Sequence, residues 1–167
     1  MLLPIFFCGC GYTTRGFVSQ EKTIVIPPAV NKIDITADSR KYATYTTFPI
    51  LLEKRLTNAI VNKFNIDGHL KVTKQESQSL KLVCDIVGYT KEAVRFTNAD
   101  DVVEQRLRLK VHIALTDSSG KSIKAKDIEG EASFFLSGPN RKTETAAQEI
   151  LIDDTARRIL ESVVEEW

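Results

Sequence analysis

The sequence predicts an α+β fold, a two-layer sandwich in which a mixed, mostly antiparallel sheet carries two amphipathic helices on one face. Between Leu80 and Leu136 apolar residues return at every second position, the period of strands with one buried face. Two other segments, 48–67 and 144–167, return them every three to four positions, the period of a helix stripe. A striped helix and a one-faced sheet each need an apolar partner. Covering one with the other leaves the second face of the sheet to water.

Thr23-Ile24-Val25-Ile26 is a β-branched run closed by Pro27-Pro28, so it reads as a first strand that stops abruptly. The stretch from Asn31 to Thr47, rich in Thr, Tyr and Asp, is a loop longer than most connections. Phe48-Pro49 opens the first helix, because proline is tolerated at the first helical position and Thr46 or Thr47 stands close enough to cap it. Leu52, Leu56, Ala59 or Ile60, and Phe64 make its apolar stripe, and Asp67-Gly68 ends it. His69 to Thr73 is a short second strand, and the helix between makes it parallel to the first through a right-handed crossover.

From Leu80 the period is two. Leu82, Cys84, Ile86 and Gly88 fall on one face, and Lys81, Asp85 and Tyr89 on the other. Past a turn at Thr97–Asp101, Gln105, Leu107, Leu109, Val111, Ile113 and Leu115 alternate with Glu104, Arg106, Arg108, Lys110 and His112. Asp117-Ser118-Ser119-Gly120 is turn chemistry, and Ser122 to Leu136 completes a meander that Gly138-Pro139-Asn140 breaks. The closing helix, Glu144 to Trp167, turns Ala147, Leu151, Ile152, Ala156, Ile159, Leu160, Val163, Val164 and Trp167 inward.

Ahead of these elements, Met1 to Phe7 are apolar and Gly9 precedes Cys10, the pattern of a hydrophobic export segment running into a processing site. Phe7-Cys8-Gly9-Cys10 is similar to a bacterial lipobox, in which a small residue precedes the cysteine that is acylated. Cys10 fits that place and Cys8, preceded by Phe7, does not. A Cys-x-Cys pair alone supplies two soft ligands where a structural zinc site needs four, and no second Cys or His pair completes it. No Lys or Arg lies ahead of the apolar run, so the signal, 1–9, reads as truncated at its start. A lipidated tether, 10–22, and a single domain, 23–167, follow. Cys84 is a small buried side chain without chemistry of its own.

The formal charge is +1, from 23 basic and 22 acidic residues, so no global field draws the chain to nucleic acid. Catalysis is hard to build. The sequence has no Gly-x-Ser-x-Gly elbow, no phosphate-cradling glycine loop and no His-Glu-x-x-His helix. His69 and His112 stand alone, and the pairs Asp100-Asp101 and Asp153-Asp154 are explained by solvation. The chain reads as a non-enzyme with no cofactor beyond a covalent lipid on Cys10.

Arg106, Arg108 and Lys110 form a basic stripe on the open face. Pairing Asp117 with Ser122 sets Lys110 against Glu129, Arg108 against Glu131 and His112 against Asp127. These ion pairs would neutralise much of the stripe. Toward the other end of the hairpin, Lys91 falls beside Arg106 or Arg108 on the wet face, with Arg95 farther along. Either a bound anion or the carboxylates of Glu92, Asp100, Asp101 and Glu104 would relieve that crowding. Both strands, 80–95 and 103–117, exceed ten residues, more than two helices cover, so the hairpin tip, with few apolar residues, projects.

In order, Cys10-Gly11-Tyr12, Ile26-Pro27-Pro28, LEKRLTNAIVNKF with Asp67-Gly68, VEQRLRLKVHIALTDSSGK, GEASFFLSG and ARRILESVVEEW resemble the lipopolysaccharide-assembly lipoprotein family LptE. The resemblance covers nearly the whole chain after Cys10. It implies an outer-membrane lipoprotein on the periplasmic side, anchored through its lipid, that plugs the β-barrel LptD, assists its assembly and binds lipopolysaccharide. Lys91, Arg95, Arg106 and Arg108 are the candidate lipopolysaccharide contacts. The alternative is a lipid-anchored adaptor of another envelope complex, without a lipopolysaccharide ligand.

Overall fold

A computed structural model describes residues 23–33 and 49–165. The proposed signal, Cys8, Cys10, the tether, Thr46, Thr47 and Trp167 lie outside them. In chain order the elements are β1 (Thr23–Val25), β2 (Val30–Asn31), α1 (Leu52–Asp67), β3 (Lys71–Val72), β4 (Leu80–Phe96), β5 (Val102–Thr116), β6 (Ser122–Phe135) and α2 (Glu144–Val164). The sheet runs β3-β1-β4-β5-β6, with β2 also paired to β4. β1 is parallel to β3 and to β4, and the long β4-β5-β6 meander is antiparallel. The expected α+β sandwich with a mixed sheet is therefore present.

Sequence pattern explains each layer. Leu52, Leu56, Ile60 and Phe64 of α1 are buried, as are Ala147, Leu151, Ile152, Ala156, Ile159 and Val163 of α2. They close over Leu80, Leu82, Cys84 and Ile86 of β4 and over the unbroken series Leu107 to Leu115 of β5, all in one core. α1 ends on Gly68, whose left-handed φ of 76° lets its N–H donate to the Phe64 carbonyl at 3.0 Å. α2 starts on Thr143, whose hydroxyl accepts from the Ala146 N–H at 3.2 Å.

The start of α1 differs from expectation. The helix begins at Leu52 and its cap position is Leu51, left-handed at φ 59° with no side-chain cap. Pro49 instead contributes its carbonyl, which accepts from the Leu52 N–H at 3.3 Å. The segment read as loop from Asn31 contains the end of β2, whose two residues pair in parallel with Asp85 and Ile86. Two residues are too few for a period to register.

On β6, α2 comes very close at Gly130. A Cβ on Gly130 would stand 2.9 Å from the Thr155 Cα and closer still to its hydroxyl, so only glycine lets α2 settle here. Beside this contact, Asp154 of α2 accepts the Glu131 N–H at 3.1 Å and ion-pairs with Arg157 and Arg158. Burial alone would push its carboxyl up, but those hydrogen bonds outweigh burial and hold it below the ordinary carboxylate range.

Candidate functional site

The sheet face away from the helices carries the polar side chains of β4, β5 and β6. Its register over β5 and β6 is the expected one, with Lys110 opposite Glu129, Arg108 opposite Glu131 and His112 opposite Asp127. His112 pairs straight across, whereas the pairs of Lys110 and Arg108 run diagonally. Lys110 reaches Asp127 at 2.8 Å, His112 Nδ1 reaches the same carboxylate at 2.7 Å, and Arg108 binds Glu129 at 3.5 Å and Glu92 at 3.1 Å. Long side chains on a twisted sheet reach the diagonal neighbour as readily as the one opposite. Hydrogen bonds from Lys110 and then His112 hold Asp127 below its usual range, and the same contact raises Lys110.

A β-bulge decides what happens farther out. The β4-β5 register slips between Ile86 and Gly88, leaving Val87 as the extra residue. The slip reverses the parity of everything beyond it. Gly88 now opposes Lys110 on the open face, while Tyr89 opposes Leu109 and Lys91 opposes Leu107 on the helix side. Tyr89 and Gly88 are thus exchanged relative to the sequence reading. Lys91 is not beside Arg106 and Arg108; its ammonium ion-pairs with Glu144 in the first turn of α2 at 2.6 Å. Burial, then the charge of Glu144, raises the Tyr89 hydroxyl to about 12.

A second slip between Ala93 and Arg95 restores the parity, so Arg95 lies opposite Glu104. It ion-pairs with Glu104 at 3.3 Å, and its guanidinium stacks over the Phe135 ring 5.5 Å from the centroid. Glu92 and Glu104 thus supply the neutralising carboxylates that the sequence allowed. Arg106 is different. Its Nε donates to the Ser133 hydroxyl at 3.3 Å, and among the described residues no carboxylate pairs with it.

Ser133 and Phe135, the contacts of Arg106 and Arg95, also wall a cavity of about 460 Å³ completed by Pro139, Asn140, Arg141 and Lys142. The Lys142 N–H donates to the Phe135 carbonyl at 3.1 Å, which fixes this loop against the end of β6. Arg141 and Lys142 line this cavity, and Arg106 and Arg95 contact two of its wall residues from β5 and β4, so cations of three segments stand at this end of the sheet. Sequence reading missed Arg141 and Lys142. Its own register offered the signal, because it sets the end of β6 beside Glu104 and Arg106, and Arg-Lys follows three residues of turn chemistry. The hairpin tip also differs from expectation, since Val94 and Phe96 are exposed on it.

Among the described residues no three His, Cys, Asp or Glu side chains gather as a metal site, and no helix is long and apolar enough to cross a membrane. Burial, aided by the charge of Asp85, raises the Cys84 thiol to about 12, so it is held as an inert thiol.

Residues 30–166 match a protein family described as LptE, lipopolysaccharide-assembly. No curated protein matches the chain. Among solved structures, a hypothetical protein of Chlamydia trachomatis aligns at TM-score 0.59 and 12% identity, over 86% of this chain and 95% of its own. Lipoprotein B of Nitrosomonas europaea aligns at 0.53 and 14%, over 89% and 90%. Rare lipoprotein B of Shewanella oneidensis aligns at 0.51 and 16%, over 84% and 94%. At these identities the likeness is one of fold.

Proposed function

Because the chain belongs to the LptE lipopolysaccharide-assembly family, we propose that it is an outer-membrane lipoprotein, acylated on Cys10, that sits within the barrel of an LptD partner. There it binds lipopolysaccharide on its way to the surface and performs no reaction of its own. One observation carries the reading. Among the described residues the sheet leaves one face without a helix, covers it with paired charges and ends it beside a cavity lined by Arg141 and Lys142, whose walls Ser133 and Phe135 are contacted by Arg106 and Arg95. A face of paired charges suits a wet barrel lumen. The cationic corner suits phosphate groups, which arginine forks hold at two points.

Within the sequence-based set, Arg106 has the best claim, Arg95 and Arg108 flank it, and Lys91 is engaged by Glu144. The test is binding of purified lipopolysaccharide. Arg106→Glu combined with Arg141→Glu is expected to weaken it by at least about tenfold, while Lys110→Glu, set among carboxylates, leaves it nearly unchanged. Equal binding by the double variant removes the site. Purification from solubilised membranes tests the partner: a stoichiometric barrel supports the reading, and a different envelope complex favours an adaptor.

A further inference from the structure

The two long edges of the sheet are treated differently by this sequence. Along β4, β1 and β2 cover the edge as far as Ile86. Beyond it the strand is broken by slips around Val87 and Val94, and Lys91 is turned inward. Bulges and inward charges are the devices by which proteins deter added strands. The β6 edge has one inward charge near its start, Lys124, whose ammonium donates to the Ser162 carbonyl at 2.7 Å, but no slip beyond its first residues. Its register with β5 runs unbroken from Lys124 to Phe135.

The outward backbone groups of β6 can be assigned from three hydrogen bonds. The Leu136 N–H donates inward to Val103, whereas the Glu131 N–H donates outward to Asp154 and the Phe135 carbonyl accepts from Lys142. Alternation then turns the N–H and C=O of Ala125, Asp127 and Glu129 outward as well. Among the described residues no backbone hydrogen bond takes them. A groove of about 370 Å³ runs beside them, walled by Lys126, Asp127 and Glu129 and by Arg158, Glu161 and Ser162 of α2. Ser162 is 4% exposed, and its hydroxyl has no hydrogen-bond partner among the described residues.

A second copy of the chain fits this edge badly. Antiparallel self-pairing centred on Ala125 sets Lys124 against Lys126; centred on Lys126, Asp127 or Glu129 it sets that charge against itself; centred on Ile128 it sets Asp127 against Glu129. Like charges directly opposite are destabilising. We infer that the β6 edge from Ile123 to Glu129 accepts an extended segment of a different protein, with basic side chains at alternate positions. Its backbone pairs with Ala125, Asp127 and Glu129. Its cations stand beside Asp127, Glu129 and Glu131 on the open face. This interface lies on an edge, apart from the cationic corner, so it stands or falls separately from lipopolysaccharide binding.

The test uses two capped peptides of about seven residues, the length of a common strand, one alternating Lys with Val and the other Glu with Val. The Lys peptide is expected to shift the amide resonances of Ala125, Asp127 and Glu129 and to bind at least about tenfold tighter than the Glu peptide. Ala125→Pro removes an outward N–H without touching the β5 ladder, and is expected to abolish that binding while lipopolysaccharide binding persists. The double variant Glu129→Lys, Glu131→Lys keeps the backbone and is expected to reverse the preference between the peptides. Failure of the Lys peptide to bind, equal binding by Ala125→Pro when folded, or an unchanged preference in the charge variant overturns the proposal. A dimer in sedimentation that perturbs the same three amides overturns the choice of a foreign strand.

Discussion

The inner and outer halves of β4 obey different rules. From Leu80 to Ile86 the strand lies under the helices, paired on both sides, and its alternation is that of an ideal half-buried strand. From Gly88 to Phe96 β5 alone pairs with it among the described residues, slips break its register, and the side chains become exposed. Burial pins the inner register, because a slip of one residue would drive every apolar side chain into water. Beyond the helices that penalty vanishes. The strand is then free to bulge, and so to carry Lys91 inward and Arg95 outward.

The largest expected effect comes from breaking the covered region. Gly130→Val sets a branched side chain into the Thr155 backbone, so α2 must lift from the sheet. Overpacking of this kind against backbone is expected to cost about 3 kcal/mol or more. Chemical denaturation checks it; a loss below about 1 kcal/mol would mean that α2 moves easily and that the contact does not fix the sandwich.

A matched pair of truncations compares the halves directly. Leu109 is fully buried beneath the helices, whereas Val94 is 40% exposed at the bulge. Leu109→Ala is expected to cost about 2–5 kcal/mol and Val94→Ala within about 0.5 kcal/mol, as an exposed position should. Similar losses at both sites would show the tip to be packed as tightly as the core.

This difference also marks how much of the molecule its sequence made legible. Both helices, the parallel β1-β3 pair and the β5-β6 register followed from periodicity and turn chemistry. Each is a local signal reinforced by burial. What escaped has a shared cause. A bulge is one extra residue in an otherwise regular pattern, and Val87 carries no mark of it, so parity carried past that point exchanged Gly88, Tyr89 and Lys91 between faces. The left-handed Leu51 cap, the two-residue β2 and the convergence of Arg141 with Arg106 depend on contacts between segments distant in the chain. Cys10 was legible as a motif from the small residue ahead of it and the apolar run before that.

Asp154 ties α2 to β6 by accepting the Glu131 N–H, so it supports the covered region electrostatically. Its folded-state pKa lies below the unfolded value. The stability it contributes is therefore complete above the unfolded carboxylate pKa and is lost as pH falls through the folded one. Asp154→Asn is expected to cost about 1 kcal/mol at neutral pH and to flatten the acid side of the stability curve. An unchanged acid limb would assign that limb to other carboxylates.

The smallest effect sharpens the comparison most, since it concerns the residue that the bulge moved. Lys91 and Glu144 are half-buried, and their ion pair ties the start of the outer ribbon to the first turn of α2. A pair with this much water around it is expected to contribute about 0.2–1 kcal/mol, read as the coupling energy between Lys91→Ala and Glu144→Ala. The same Lys91 variant is expected to bind lipopolysaccharide as well as the unaltered chain does, whereas Arg106→Glu does not. Zero coupling together with weakened binding would put the ammonium back among the open-face cations. The register slip at Val87 would then be a feature that the protein abandons when it meets its ligand.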